Sequence, residues 1–317
     1  MAKGIGDRLI SETPVAIIDF ETTGLTAGHD RVVEVSVVRV DPGQSPRLAF
    51  DTLVNPRRSM AATEVHGITD ADVAKAPTFA DIAGEVVAAT SGCVVAAYNV
   101  YFDVQFLEFE LGNAGVDQTP PHFCLMYLRP MLGLGSRCKL EEACKNHGVE
   151  RTPSHIAAAD AMASAELFVK YLAEMEAKGI STYGELAKLK RYKFVDSFRL
   201  APLPDASTFG LGRFQGAVSR AGNAVSSTDA PTPAAAYWDL LKSVLVDLEV
   251  SDTELAAIRT EQEASGLTTD EVRMLHARAF ASVISQFAAD KRIDEAEQRR
   301  LRRLHECLAT LGWAPGQ

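Results

Sequence analysis

Apolar positions near the start of the chain are spaced as in β-strands. Three segments combine continuous or alternating apolar residues, PVAIIDF (14–20), RVVEVSVVRV (31–40) and RLAFDTLV (47–54). The turn DPGQSP (41–46), rich in Pro and Gly, separates the last two segments. The pattern predicts an antiparallel meander of three strands.

The apolar period then changes to that of helices. FADIAGEVVAAT (79–90) has helical spacing, CVVAAYN (93–99) is a short apolar strand, and VYFDVQFLEFELGNAG (100–115) predicts a helix closed by Gly. Two further helices are predicted over 139–148 and 155–179, the second rich in alanine. Strands first, followed by alternating helices and strand, indicate an α/β domain with a mixed sheet.

Composition shifts after residue 180. KLKRYK (188–193) is a basic run, and Gly, Ala, Ser, Pro and Thr dominate residues 201–236, as in flexible linkers. Helical periodicity without strands returns from Tyr237. We therefore predict an α/β domain over 1–180, a basic and flexible linker over 181–236, and a smaller all-α domain over 237–317.

Composition restricts the class of protein. The 317 residues are 47% hydrophobic, enough for a sizeable core, and the formal net charge of −10 argues against a generally basic nucleic-acid binder while leaving a local basic track possible. The five cysteines include no CxxC pair, which is typical of reduced thiols. The N-terminus has no apolar signal core, and no apolar run is long enough to span a bilayer. We expect a cytoplasmic protein with no membrane partner.

Two acids close the first strand. Asp19 and Glu21 are two residues apart, so their carboxylates face the same side of an extended strand. Two close carboxylates repel each other, and a divalent cation such as Mg²⁺ or Mn²⁺ removes that repulsion. A strand end that simply reaches solvent is the alternative explanation for this pair.

Other polar residues extend this pattern. Asn99 and Asp103 are four residues apart, on one face at the start of a predicted helix. His155 lies at or just before the N-terminus of the alanine-rich helix, and Asp160 lies more than one turn inside it. An acid in a helix that otherwise looks packed requires a partner.

These residues carry a family resemblance. DFETTG (19–24), NVYFD (99–103) and H-x-A-x-x-D-A (155–161) resemble, in order and spacing, the three exonuclease motifs of the DEDDh family of 3′→5′ exonucleases, which includes the proofreading subunit of bacterial DNA polymerase III. VHGIT (65–69) and KLEEACKNHGV (139–149) resemble further segments of that family. The resemblance covers roughly residues 10–175, and it implies a ribonuclease H-like fold.

The resemblance implies a two-metal mechanism. Asp19, Glu21, Asp103 and Asp160 would ligate two Mg²⁺ or Mn²⁺ ions, and His155 would take a proton from the attacking water. Nucleoside 5′-monophosphates would leave from 3′ ends. The resemblance also implies six residues that contact the substrate: Thr22, Gly24, Leu25, His66, Asn99 and Phe102. For each of them, a purely structural role is the alternative.

Several alternatives stay open at the level of sequence. DNA is the preferred substrate by resemblance, but no residue identifies a sensor of the RNA 2′-hydroxyl, so an exoribonuclease is the alternative within enzymes. A non-catalytic adaptor that binds nucleic-acid ends or a replication or repair partner is the alternative outside enzymes. The C-terminal segment resembles TerB-like helical domains, in which acid-rich turns precede helices.

Overall fold

A five-stranded mixed sheet forms the centre of the first part of the molecule. The structure is a computed structural model, and it describes residues 4–60, 63–151, 156–190, 192–212, 216, 234, 237–238, 240–241, 252–287 and 295–316. The strands are β1 (Val15–Thr22), β2 (Val32–Val40), β3 (Arg47–Leu53), β4 (Val94–Ala97) and β5 (His122–Cys124). Their order in the sheet is β3-β2-β1-β4-β5.

The topology confirms the predicted α/β fold class. β1, β2 and β3 pair antiparallel as the predicted meander, whereas β4 pairs parallel with β1 and with β5. β1 therefore lies at the centre of the sheet, and Val15 to Ile18 are fully buried, as expected of an apolar run covered on both faces. This mixed sheet flanked by helices agrees with the ribonuclease H-like fold that the family resemblance implies.

The first seven helices among the described residues lie between or after the strands. They are α1 (Thr63–His66), α2 (Asp70–Val73), α3 (Phe79–Thr90), α4 (Val100–Asn113), α5 (Leu125–Met131), α6 (Leu140–His147) and α7 (Ala157–Ala177). Local chemistry sets their ends. Thr78 and Asp81 form a capping box at the start of α3. Gly148 follows α6 with a φ of 65°, a conformation that glycine adopts at little cost.

Residues 183–200, at the start of the predicted linker, carry helices. Residues after α7 form α8 (Tyr183–Leu189) and α9 (Ser197–Leu200), joined by a 3-10 helix over Lys193–Asp196. Their aromatic side chains, including Phe194 and Phe198, are buried in the main core. Composition missed this packing because single aromatic residues spaced along a polar segment produce no clear period. The folded part extends to residue 212, and most of 213–236 lies outside the described residues.

The C-terminal region is helical, as predicted. It contains α10 (Asp252–Ser265), α11 (Thr269–Phe287) and α12 (Glu295–Thr310), which share a hydrophobic core with Tyr237 and Trp238. Thr268 and Glu271 exchange side-chain and backbone hydrogen bonds at the start of α11. The TerB-like identity of this region and the domain division stay predictions. Across the described residues, no helix is long and apolar enough to cross a membrane.

A buried histidine in this region makes its stability pH-dependent. His276 Nδ1 donates to the Trp313 carbonyl at 2.8 Å, and Nε2 accepts from the Tyr237 hydroxyl at 2.6 Å, so the neutral ring satisfies both contacts. Burial lowers the pKa of His276 below its usual value. The unfolded chain therefore binds a proton that the folded chain excludes, and stability is lost as pH falls below about 6.5.

We expect the melting temperature of the C-terminal helices to fall between pH 7.5 and 5.5, and to fall less in His276→Gln. Circular dichroism melts at several pH values test this. His29→Gln, at an exposed side chain, is the matched control and should keep the pH dependence of the wild type. Equal pH dependence in His276→Gln and the wild type would contradict the assignment.

Candidate active site

The two acids of β1 lie on one face of the sheet. Asp19 is opposite Ser36 and Glu21 is opposite Glu34 in the antiparallel pair of β1 and β2. Glu21 is only 5% exposed, whereas Asp19 is partly exposed. The register shifts directly after Glu21, because the next pair joins Thr22 to Val32. A bulge of this kind bends the strand and ends regular pairing next to the two acids.

Asp103 lies beside the backbone of β1. Its Oδ1 accepts a hydrogen bond from the backbone N–H of Phe20, the residue between Asp19 and Glu21, at 3.1 Å. The parallel pairing of β1 with β4 ends at Ile17, so the Phe20 N–H faces no strand partner there. Asp103, 5% exposed in the first turn of α4, occupies that place. The contact thus places Asp103 against the backbone between the two predicted acids of β1.

Asp160 is held by an arginine. It lies in the first turn of α7 and is 9% exposed. Arg151 donates to it from Nε at 2.8 Å and from Nη2 at 3.0 Å, a bidentate pair. Sequence reasoning missed Arg151, which belongs to none of the motifs. His155 lies outside the described residues.

The predicted ligands are not close enough together in this structure to bind a metal ion. Among the described residues, no group of three or more His, Cys, Asp or Glu side chains lies close enough to hold a metal ion. The donor chemistry nevertheless fits a hard divalent cation, since all four predicted ligands are carboxylates and three of them are buried. Asp160 is the acid that has to leave its arginine partner for all four to act together.

The loop after β1 is organised by an acid that sequence reasoning missed. Asp30 is buried and accepts from the Thr23 hydroxyl at 3.3 Å and from the Thr26 N–H at 3.1 Å. A Cβ added to Gly24 would clash with the Asp30 carboxylate, so a larger residue there would displace the Asp30 side chain from its contacts. The Thr22 hydroxyl donates to the Gly24 carbonyl at 2.5 Å. Thr22 and Gly24 therefore have structural roles in the shape of this loop.

The other predicted substrate contacts are more scattered. Phe102 is buried, with its ring 5.2 Å from that of Phe106. His66 is also buried, and its Nδ1 accepts from the Ile68 N–H at 3.1 Å. Leu25 is partly buried and packs against both the main core and the C-terminal core. Phe102 and His66 thus make the contacts expected of structural residues.

Asn99 differs from these residues. It precedes α4 in the N-cap position without capping it through its side chain. Its Oδ1 is buried and has no hydrogen-bond donor within the described part of the chain. A buried acceptor in this state is suited to a ligand that donates a hydrogen bond.

Comparison with known proteins places the chain. The family described as Exonuclease (RNase_T) matches residues 16–168. The DNA polymerase III subunit epsilon of Aquifex aeolicus is 30% identical over 193 residues, which cover 59% of this chain and 95% of that protein. The chain belongs to the exonuclease family. Membership confirms the nuclease class predicted from the motifs, and all the described predicted acids lie within the matched region.

Other relatives of this exonuclease are longer. The DNA polymerase III subunit epsilon-like protein of Rhodobacter capsulatus is 34% identical over 193 residues, covering 56% of this chain and 27% of that protein. The chain spans 13% of the DNA polymerase III PolC-type of Bacillus cereus. Among solved structures, exonuclease X in complex with 5′ overhanging duplex DNA is 25% identical with a TM-score of 0.42, covering 56% of this chain and 99% of that one.

Proposed function

We propose that this protein is a metal-dependent 3′→5′ exonuclease that removes nucleotides from DNA ends. The observation that carries the proposal is the contact between Asp103 and the backbone of Phe20, which brings a third carboxylate to Asp19 and Glu21. Family membership supports the exonuclease reaction. The similarity to polymerase III subunits supports DNA as the substrate and a replication or repair protein as a partner in the cytoplasm.

Four carboxylates would bind the metal in this proposal. Asp19, Glu21, Asp103 and Asp160 would hold two Mg²⁺ or Mn²⁺ ions, which lower the pKa of water and neutralise charge on the scissile phosphodiester. His155 would accept the proton of the attacking water on its imidazole, since histidine is the side chain used most often for general acid–base catalysis. Arg151 would release Asp160 and become available to the phosphate, since a guanidinium binds both groups well.

The terminal nucleotide would lie between the loop after β1 and the start of α4. Thr22, Gly24 and Leu25 would contact it from the loop, and Asn99 would accept a hydrogen bond from it. His66 and Phe102 are buried, so they would support the residues that line this pocket. Leu25 also contacts the C-terminal core, so the helical region would border the nucleotide.

A second candidate function is supported by the pairing of Asp160 with Arg151. A protein that kept this ion pair at all times would bind nucleic-acid ends without cleaving them. Such an adaptor would need neither metal nor His155 for binding.

A cleavage assay on a panel of substrates separates these functions. DNA with paired, mismatched and single-stranded 3′ ends, and a matched RNA, would carry a 5′ label and be incubated with Mg²⁺, Mn²⁺ or EDTA. We expect a ladder that shortens from the 3′ end of DNA with either metal and no ladder with EDTA. Binding of nucleic-acid ends without cleavage would favour the adaptor. Cleavage of RNA and not of DNA would show that RNA is the substrate.

A further inference from the structure

Glu34 is a buried carboxylate that belongs to none of the exonuclease motifs. It lies in β2, an inner strand of the sheet, with 0% of its surface exposed. It is directly opposite Glu21, and side chains opposite each other in an antiparallel pair have Cβ atoms about 5 Å apart. Two acids in such positions repel each other, and a buried carboxylate is costly unless it accepts hydrogen bonds. Glu34 therefore requires a specific partner.

The start of α7 supplies that partner. Glu34 Oε2 accepts a hydrogen bond at 3.2 Å from the backbone N–H of Ala157, the first residue of this 21-residue helix. The residue in the N-cap position is Ile156, which has no side-chain acceptor and makes no side-chain capping bond. The first N–H groups of a helix have no partner within it and carry partial positive charge. Glu34 thus caps α7 from a distant strand.

Two predicted functional residues are close to this helix start in the sequence. Asp160 follows Ala157 by three residues in the first turn, and His155 precedes it by two. The start of α7 packs through small side chains, since Ala157, Ala158 and Ala161 are buried, whereas its large buried side chains, such as Phe168, lie further along the helix. A hydrogen bond to one oxygen adds a directional contact that fixes the position of the helix start.

We propose that Glu34 is a positioning residue that sets Asp160 in register with Glu21 for catalysis. The inference rests on the proposed exonuclease function. Glu34 acts through a hydrogen bond to the Ala157 N–H. For this role, the length of its side chain matters more than its negative charge. Glutamine retains an oxygen at the same distance, whereas aspartate is shorter by one methylene, about 1.5 Å, and keeps the charge. The two substitutions therefore separate geometry from electrostatics.

The test compares Glu34→Gln, Glu34→Asp and the control Asp51→Asn in the full chain. Asp51 is also a buried acid of the sheet, and it accepts a hydrogen bond from the Ser36 hydroxyl. Steady-state cleavage of single-stranded DNA gives kcat and KM. Amide hydrogen exchange of the segment 156–161, measured without metal or DNA, reports on the helix start.

We expect Glu34→Asp to lower kcat on the order of 10- to 100-fold with little change in KM, since small misplacements of catalytic groups have effects of this size. Exchange at 156–161 should accelerate in Glu34→Asp, while Glu34→Gln and Asp51→Asn should stay within about threefold of the wild type in kcat and unchanged in exchange. Rescue by glutamine is an outcome that a role based on charge would not produce.

Two results would overturn the inference. If Glu34→Asp keeps kcat while Glu34→Gln loses it, the negative charge and not the position of α7 is what matters. If exchange at 156–161 is the same in Glu34→Asp and the wild type, Glu34 does not hold the helix start. A wild type without nuclease activity would reject the proposed function alone, because the exchange measurement needs no catalysis.

Discussion

Asp19→Asn is expected to reduce exonuclease activity on the order of 10³-fold or more while leaving the fold intact. The amide has nearly the shape of the carboxylate but not its charge, so the substitution removes a metal ligand without opening a cavity. Metal ions contribute several kcal/mol to charge stabilisation in such reactions, and each 1.4 kcal/mol is a factor of ten in rate. Cleavage of 5′-labelled single-stranded DNA under single-turnover conditions gives the rate ratio.

Two controls define what this result means. Asp51→Asn changes a buried acid of β3 outside the site, and it should cleave DNA at a rate within about threefold of the wild type. Isothermal titration with Mn²⁺ should show weaker binding to Asp19→Asn than to Asp51→Asn. Full activity in Asp19→Asn would remove this residue from the metal site and with it the proposed mechanism.

Arg31→Met is expected to cost about 3 kcal/mol of unfolding free energy, the largest stability effect that we predict. Arg31 donates to Glu110 from Nε at 2.7 Å and from Nη2 at 2.6 Å, which joins the start of β2 to α4. Glu110 is only 2% exposed in its side chain, so removing the arginine leaves a buried charge with its main partner gone. Breaking buried ion pairs in this way typically costs 3–5 kcal/mol, and the partial exposure of Arg31 favours the lower end. Urea denaturation measures the difference.

The exposed pair of Arg47 and Asp41 provides the matched control. Arg47 is 54% exposed in its side chain and lies 3.2 Å from the Asp41 carboxylate, so Arg47→Met should cost less than about 1 kcal/mol. The double variant Arg31→Met with Glu110→Leu should recover most of the lost stability, because no charge stays buried. Equal costs for Arg31→Met and Arg47→Met would show that burial of the Glu110 charge is not the cause.

Local patterns were enough for much of the fold. Val15 to Ile18 predict a central strand, and the alternation in β2 and the turn after it predict the meander, because strand formation depends on which faces are apolar. The helices α3, α4, α6 and α7 follow from helical spacing and from stop signals such as Gly148. The segment 183–212 was the main error, since its packing depends on isolated aromatic residues that reach a core formed elsewhere.

The acids of the site were also evident from sequence, because a carboxylate in an apolar strand or an alanine-rich helix conflicts with its surroundings. Their partners were not evident. Asp30 supports the loop through contacts that a side chain at Gly24 would displace. Arg151 holds Asp160 although nothing in the arginine's own neighbourhood marks it.

The sequence by itself determined four of the five strands, the helices α3, α4, α6 and α7, and the exonuclease motifs with their acids, because each depends on residue types within a short window. Only the tertiary structure decided which groups meet. Asp103 reaches a backbone N–H 83 residues away, and Glu34 reaches one 123 residues away. Such contacts depend on the strand order of the sheet and on how closely α7 packs against it. Sequence periodicity contains no information on either, since it describes the faces of single elements and not the distances between them.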